Sequence, residues 1–187
     1  EQVYAQRNDP AAFKAALETF HGHVAQLAAQ RGEYAKVPLE YRYYKNNVLF
    51  YSQWLYVFSF LLIALTWLLP RSNWAHWTTI AAVTLPTLLL IIGITIRCII
   101  RSRPPVSTLY ETILFITACA VLMALALELI NRQRIAIAVG AVLGMIGMFL
   151  AYRYELKEGV DTMPSLVAVL DTNFWLSTHV TTVTAGY

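Results

Sequence analysis

The chain has 187 residues, 58% of them hydrophobic and 13% charged, with a formal net charge of +3 at pH 7 and a mean hydropathy of +0.52. Soluble domains carry about a quarter charged residues, so this composition excludes an ordinary water-soluble globule, and its apolar content excludes a disordered chain. The excess positive charge is too small and too scattered for nucleic acid to be a partner.

Asp9 and Pro10 supply an N-cap and a first-turn proline, so a helix is expected from there. Phe13, Leu17, Phe20, Val24 and Leu27 follow at spacings of 4, 3, 4 and 3, forming one apolar stripe, with Lys14, Glu18 and Gln26 off it. Gly32 ends the segment. So narrow a stripe cannot make its own core and must dock on protein or lie on a bilayer surface. His21 and His23 are two residues apart, about 200° of helical rotation, and cannot converge on one metal ion while the helix persists.

Leu49 to Pro70 contains no charged residue over 22 positions. As a helix it reaches about 33 Å, enough to cross the hydrocarbon core. Further spans are read at Trp77 to Ile96, Leu109 to Ile130 and Ile135 to Tyr152, the last being the shortest. Pro86 is expected to kink the second. Glu111 and Glu128 lie close enough to the ends of the third to reach the interface. Gly140, Gly144 and Gly147 give the fourth a face for close helix packing. The fold class is therefore all-α: a polytopic membrane protein with four transmembrane helices, the start of a fifth, and an N-terminal amphipathic helix. Three regions follow: a soluble extension over 1–48, a four-span domain over 49–152, and a loop leading into a truncated fifth span over 153–187.

Short connections at Arg71 to His76 and Asn131 to Arg134 make tight hairpins on one membrane side. The N-terminal region, the loop Arg97 to Thr108 and everything after Arg153 share the other. That second side carries Lys36, Arg42, Lys45, Arg97, Arg101, Arg103, Arg153 and Lys157, which by the positive-inside rule places it in the cytoplasm. Cys98 and Cys119 lie in apolar runs without a CxxC or neighbouring His, and form no metal or haem-attachment motif. Beginning at Glu1 and ending at Tyr187 within an apolar segment, the sequence reads as a piece of a longer protein.

Two stretches are more particular than bilayer physics requires. One is Arg103-Pro-Pro-Val-Ser-Thr-Leu-Tyr-Glu111. The other runs from Pro164 through Leu170-Asp-Thr-Asn-Phe-Trp-Leu-Ser-Thr-His-Val180 to Ala185-Gly-Tyr187. In order and spacing, over roughly residues 41 to 187, they resemble the haem-handling membrane family of cytochrome c assembly, most closely the CcsA-type synthase subunit and its fused CcsBA form. The resemblance implies binding of haem b and its delivery for covalent attachment to apocytochrome c on the outer, periplasmic face. It implies a holocytochrome c synthase, or haem lyase, with a CcsB-type partner subunit or fused domain. The membrane it implies is a bacterial inner (cytoplasmic) membrane or a thylakoid-like one.

In that family the motif histidine is an axial ligand of the haem iron, a role that falls here on His179. Imidazole is a common haem-iron ligand. Trp175, four residues earlier, shares its helical face and could stack on the macrocycle. Arg101 and Arg103 are candidates for the haem propionates, a task that suits guanidinium. Taken alone, an interfacial Trp and a hydrogen-bonded His are ordinary membrane anchors. The family's tryptophan-rich haem loop and second outer histidine would lie beyond Tyr187, so this stretch alone is not expected to be active. The resemblance also sets the N-terminal region and His179 on the non-cytoplasmic side, against the arginine count. It is preferred here because loops fused to larger domains follow the charge rule poorly. The alternatives are a structural subunit of a respiratory or photosynthetic complex, or a small-molecule transporter.

Overall fold

A computed structural model describes residues 9–30, 32, 34–68, 73–101, 104–158 and 174–186. Among them every regular element is helical: α1 (Pro10–Gln30), a 3-10 turn (Tyr34–Lys36), α2 (Val37–Asn46), α3 (Val48–Leu68), α4 (Asn73–Arg101), α5 (Leu109–Asn131), α6 (Ile135–Glu158) and α7 (Phe174–Gly186). The chain divides into two units, Glu1–Lys45 and Asn46–Tyr187.

In the first unit, α1 starts as its sequence dictates. The Asp9 carboxylate accepts from the Ala11 N–H at 3.0 Å, and the Asp9 carbonyl takes the first helical bond from Phe13. The helix stops at Gly32, whose φ of 69° is open to a residue without Cβ, and whose N–H donates to Ala29 O. The helix buries none of its residues.

The second unit is a four-helix arrangement. α3 and α4 form one antiparallel hairpin, α5 and α6 another; α3 packs on α6, α4 on α5, and α4 also touches α6 across the middle. The four helices are long and apolar enough to cross a membrane. Their surface is the inverse of a soluble bundle. On α3 the buried residues are Ser52, Gln53, Tyr56, Ser59, Ile63 and Thr66, while Phe50, Trp54, Phe58, Leu61, Leu65 and Trp67 are exposed. Apolar side chains are stable outside only where the surroundings are apolar, and buried hydroxyls glue helices that share no hydrophobic drive to associate. Exposed aromatics cluster at both ends, Trp67, Trp74 and Trp77 at the hairpin end and Tyr51, Trp54 and Tyr152 at the other, as in the belts at membrane–water interfaces. This is an integral membrane protein.

Several boundaries differ from the sequence reading. α4 runs on to Arg101, so Arg97 belongs to a helix rather than to a loop. α6 runs to Glu158, making it longer than α3 and α5 instead of the shortest span. Hydropathy stops at the first charged residues, whereas Tyr154 packs on the core and Glu155 accepts from Tyr110, which carries the helix further.

Pro86 leaves α4 unbroken. Lacking an N–H, it strips the Ala82 carbonyl of its helical partner. Ser59 Oγ supplies the replacement donor at 2.5 Å, sharing its hydrogen with Leu55 O. Ser52 Oγ donates to Pro86 O at 2.9 Å. The Thr87 hydroxyl spends its hydrogen on Val83 O, so the Tyr56 hydroxyl donates to Thr87 Oγ1 at 3.0 Å. The Tyr56 ring in turn fills the space beside Gly144, where a Cβ would come within 2.5 Å of its Cε1. A Cβ at Gly147 would collide with Thr117, and one at Gly140 with Ala124. The glycine face thus does what its spacing predicts.

Candidate functional site

His179 and Trp175 lie on α7, one turn apart, and both are exposed, Trp175 by 78%. This short helix rests against α5. Its sequence mixes apolar residues with Ser, Thr and His, and its helical form puts residues four apart on one face. Arg101 ends α4; its Nη2 is buried and meets no hydrogen-bond acceptor. Arg103 lies outside the described residues, as do 159–173, the first part of the second motif.

The first motif is largely structural. Ser107 Oγ donates to Pro104 O, and Thr108 caps α5, its hydroxyl accepting from Glu111 N at 3.2 Å. Tyr110 lies beneath the Arg97 guanidinium, 4.8 Å from ring centre to Cζ, and its hydroxyl donates to Glu155 Oε2 at 3.4 Å. Glu111 faces Arg97, Oε1 to Nη2 3.4 Å. Beside this pair a cavity of about 10 Å3, no larger than one water needs, is lined by Ile94, Arg97, Cys98, Pro105, Glu111 and Leu114. Neither Arg101 nor His179 is among the residues that line it.

The opposite end holds a second buried charge cluster. Glu128 is fully buried; its Oε1 accepts the Arg134 backbone N–H at 2.7 Å and lies 3.4 Å from His76 Nδ1. The Arg134 guanidinium donates to Thr66 O at 3.2 Å. Arg132, in the left-handed conformation, returns its N–H to Glu128 O. Glu111 and Glu128 therefore do not reach out to the interface as expected; both turn inward, Glu111 toward Arg97 and Glu128 toward His76, each on the other hairpin. The T-x-x-E spacing of Thr108 and Glu111 was a legible helix-start signal. The His76–Glu128 pairing has no signal in the linear sequence.

Among the described residues no three His, Cys, Asp or Glu side chains gather to hold a metal ion, and both cysteines are free thiols. Compared with family models, with curated proteins and with solved structures, the chain finds no match.

Proposed function

We propose that this chain belongs to a haem-handling membrane protein of cytochrome c assembly, presenting haem b to apocytochrome c on the non-cytoplasmic face. The observation that carries the reading is the exposed imidazole of His179, one helical turn from the exposed indole of Trp175, inside the W-L-S-T-H-V stretch on which the resemblance rests. A neutral imidazole is a common ligand of haem iron, and the exposed His179 would supply one such ligand. The orphaned Arg101 Nη2 fits a carboxylate such as a propionate.

In this reading haem, when bound, supplies the macrocycle to be attached covalently to the cytochrome polypeptide. His179 would hold it through its imidazole nitrogen. Trp175 would stack on its apolar surface and exclude water there. Arg101 fixes the polar edge, with Arg103 as the second candidate. The exposed position of α7 leaves room for an incoming polypeptide. A CcsB-type subunit or fused domain would complete the assembly, in a bacterial cytoplasmic membrane or a thylakoid-like one.

The test is the absorption spectrum of the full chain purified with added haem. His179→Ala is expected to lose haem or shift its bands, with partial recovery on adding imidazole, which can enter the vacated coordination position. His21→Ala and His23→Ala are expected to leave the spectrum unchanged. An unchanged spectrum in His179→Ala overturns the ligand assignment; no haem affinity in the native chain turns the reading toward a structural subunit. Sidedness has its own test: single cysteines near Arg103 and Val160 are expected to react with an impermeant reagent from outside the cell and one at Gln133 to be spared. The reverse pattern restores the charge rule.

A further inference from the structure

The apolar stripe of α1 is uncovered in its own unit: Phe13, Leu17, Phe20, Val24 and Leu27 are between 37% and 59% exposed. At 3.6 residues per turn these five side chains fall within an arc of about 80°. Lys14, Glu18, Gly22 and Gln26 project from the far side. His21 and His23 fall about 80° to either side of the centre of the stripe, one on each flank. Sequence reading sees the two histidines as a pair that cannot converge. On the helix they are symmetrical borders of an apolar face.

What covers this face is indicated by the chain that follows. From Gly32 onward, exposed Tyr34, Val37, Tyr41 and Tyr44 alternate with Lys36, Arg42 and Lys45, and Lys45 Nζ lies 5.7 Å from the centre of the Tyr41 ring. Exposed Phe50, Tyr51 and Trp54 then open α3, which is long and apolar enough to cross a membrane. Tyrosines interleaved with lysine and arginine mark the headgroup layer. In the sequence α1 is separated from the start of α3 only by residues 31–47. Its only charges are Lys14 and Glu18, which cancel, so apolar burial and not attraction to anionic lipid must hold it.

We propose that α1 lies flat in the lipid–water interface, with the stripe Phe13, Leu17, Phe20, Val24 and Leu27 turned into the acyl chains and His21 and His23 at the headgroup boundary on its two flanks. The proposal is independent of any role in haem handling.

The test uses the full chain, carrying Cys98→Ser and Cys119→Ser, reconstituted in phosphatidylcholine bilayers with one spin label at a time on cysteines placed from 13 to 27. The ratio of oxygen to nickel-chelate accessibility is expected to peak at 13, 17, 20, 24 and 27, to be lowest at 14, 18, 22 and 26, and to be intermediate at 21 and 23. Uniform chelate access along the helix overturns the proposal, and so do stripe labels that are immobile and reached by neither reagent, the signature of docking on protein. A second measurement keeps the native cysteines: trypsin cleavage after Lys14 in Leu17→Glu/Phe20→Glu is expected to be about tenfold faster than in the native chain in the same vesicles, because the helix then detaches and opens locally. Equal rates overturn the proposal.

Discussion

At the hairpin end of the four-helix unit the buried carboxylate sits in the last turn of α5; at the opposite end it sits in the first. Glu111 occupies the favourable position, since the positive end of the helix dipole and the free N–H groups of the first turn welcome an acid. One guanidinium from α4 completes it. Glu128 occupies the unfavourable position, against the negative end, and more is assembled around it: the Arg134 N–H, His76 across from the other hairpin, and a connection bent through left-handed Arg132 and Arg134. Three contacts, His76 to Glu128, Arg134 to Thr66 O and Arg97 to Glu111, join one hairpin to the other. The two ends thus reach the same cross-bracing by different means, one from the helix terminus and one from the loop.

The largest effect is expected at the Arg97 end. Arg97→Ala leaves Glu111 buried and uncompensated, and is expected to cost about 3–5 kcal/mol in unfolding monitored by circular dichroism in detergent. Arg97→Met with Glu111→Leu is expected to recover most of that loss, because no charge is then left buried. If the double variant is as unstable as the single, the pair is not what Arg97 contributes. Glu128→Ala is expected to cost less, about 1–3 kcal/mol. It orphans the Arg134 N–H but removes its own carboxylate from the negative end of the helix; a loss larger than that of Arg97→Ala would reverse the ranking of the two ends. Thr108→Ala is expected to cost about 1 kcal/mol, read as a lower melting temperature, by stripping the cap that helps hold Glu111 at its end alone.

Gly144 tests the middle, where neither end reaches. Gly144→Ala puts a methyl group against the Tyr56 ring. The substitution is expected to loosen α6 from α3 and to expose the Tyr56 hydroxyl to exchange, which hydrogen–deuterium exchange of α3 and α4 would register as faster labelling near Thr87. Unchanged exchange would mean that Tyr56 shifts without giving up its bond.

The candidate haem residues show how far a motif carries and where it stops. The W-L-S-T-H-V stretch singled out His179 and Trp175, and both are exposed on one short helix. Beside the R-P-P-V-S-T-L-Y-E stretch, Arg101 and Arg103 were candidates for haem propionates. The contacts its described residues make are with Arg97, Glu155 and the cap of α5. A short motif does not say whether its polar residues serve a ligand or a neighbouring helix, since both uses call for the same donors and acceptors.

Four membrane spans, the cap and glycine stop of α1, and the small-residue face of α6 are local properties, set by runs, spacings and single residues within one stretch of chain, and the sequence determined them by itself. The length of α4 and α6, the inward turn of Glu111 and Glu128, and the repair of the Pro86 gap by Ser59 were decided only by tertiary structure. The reason is physical: hydropathy treats a charge as a cost to be kept at the surface, but the cost falls when a partner is supplied by another helix. Those partners come from 14 residues away for Arg97 and Glu111 and from 68 for Arg134 and Thr66, distances over which periodicity carries no information and only packing brings groups together.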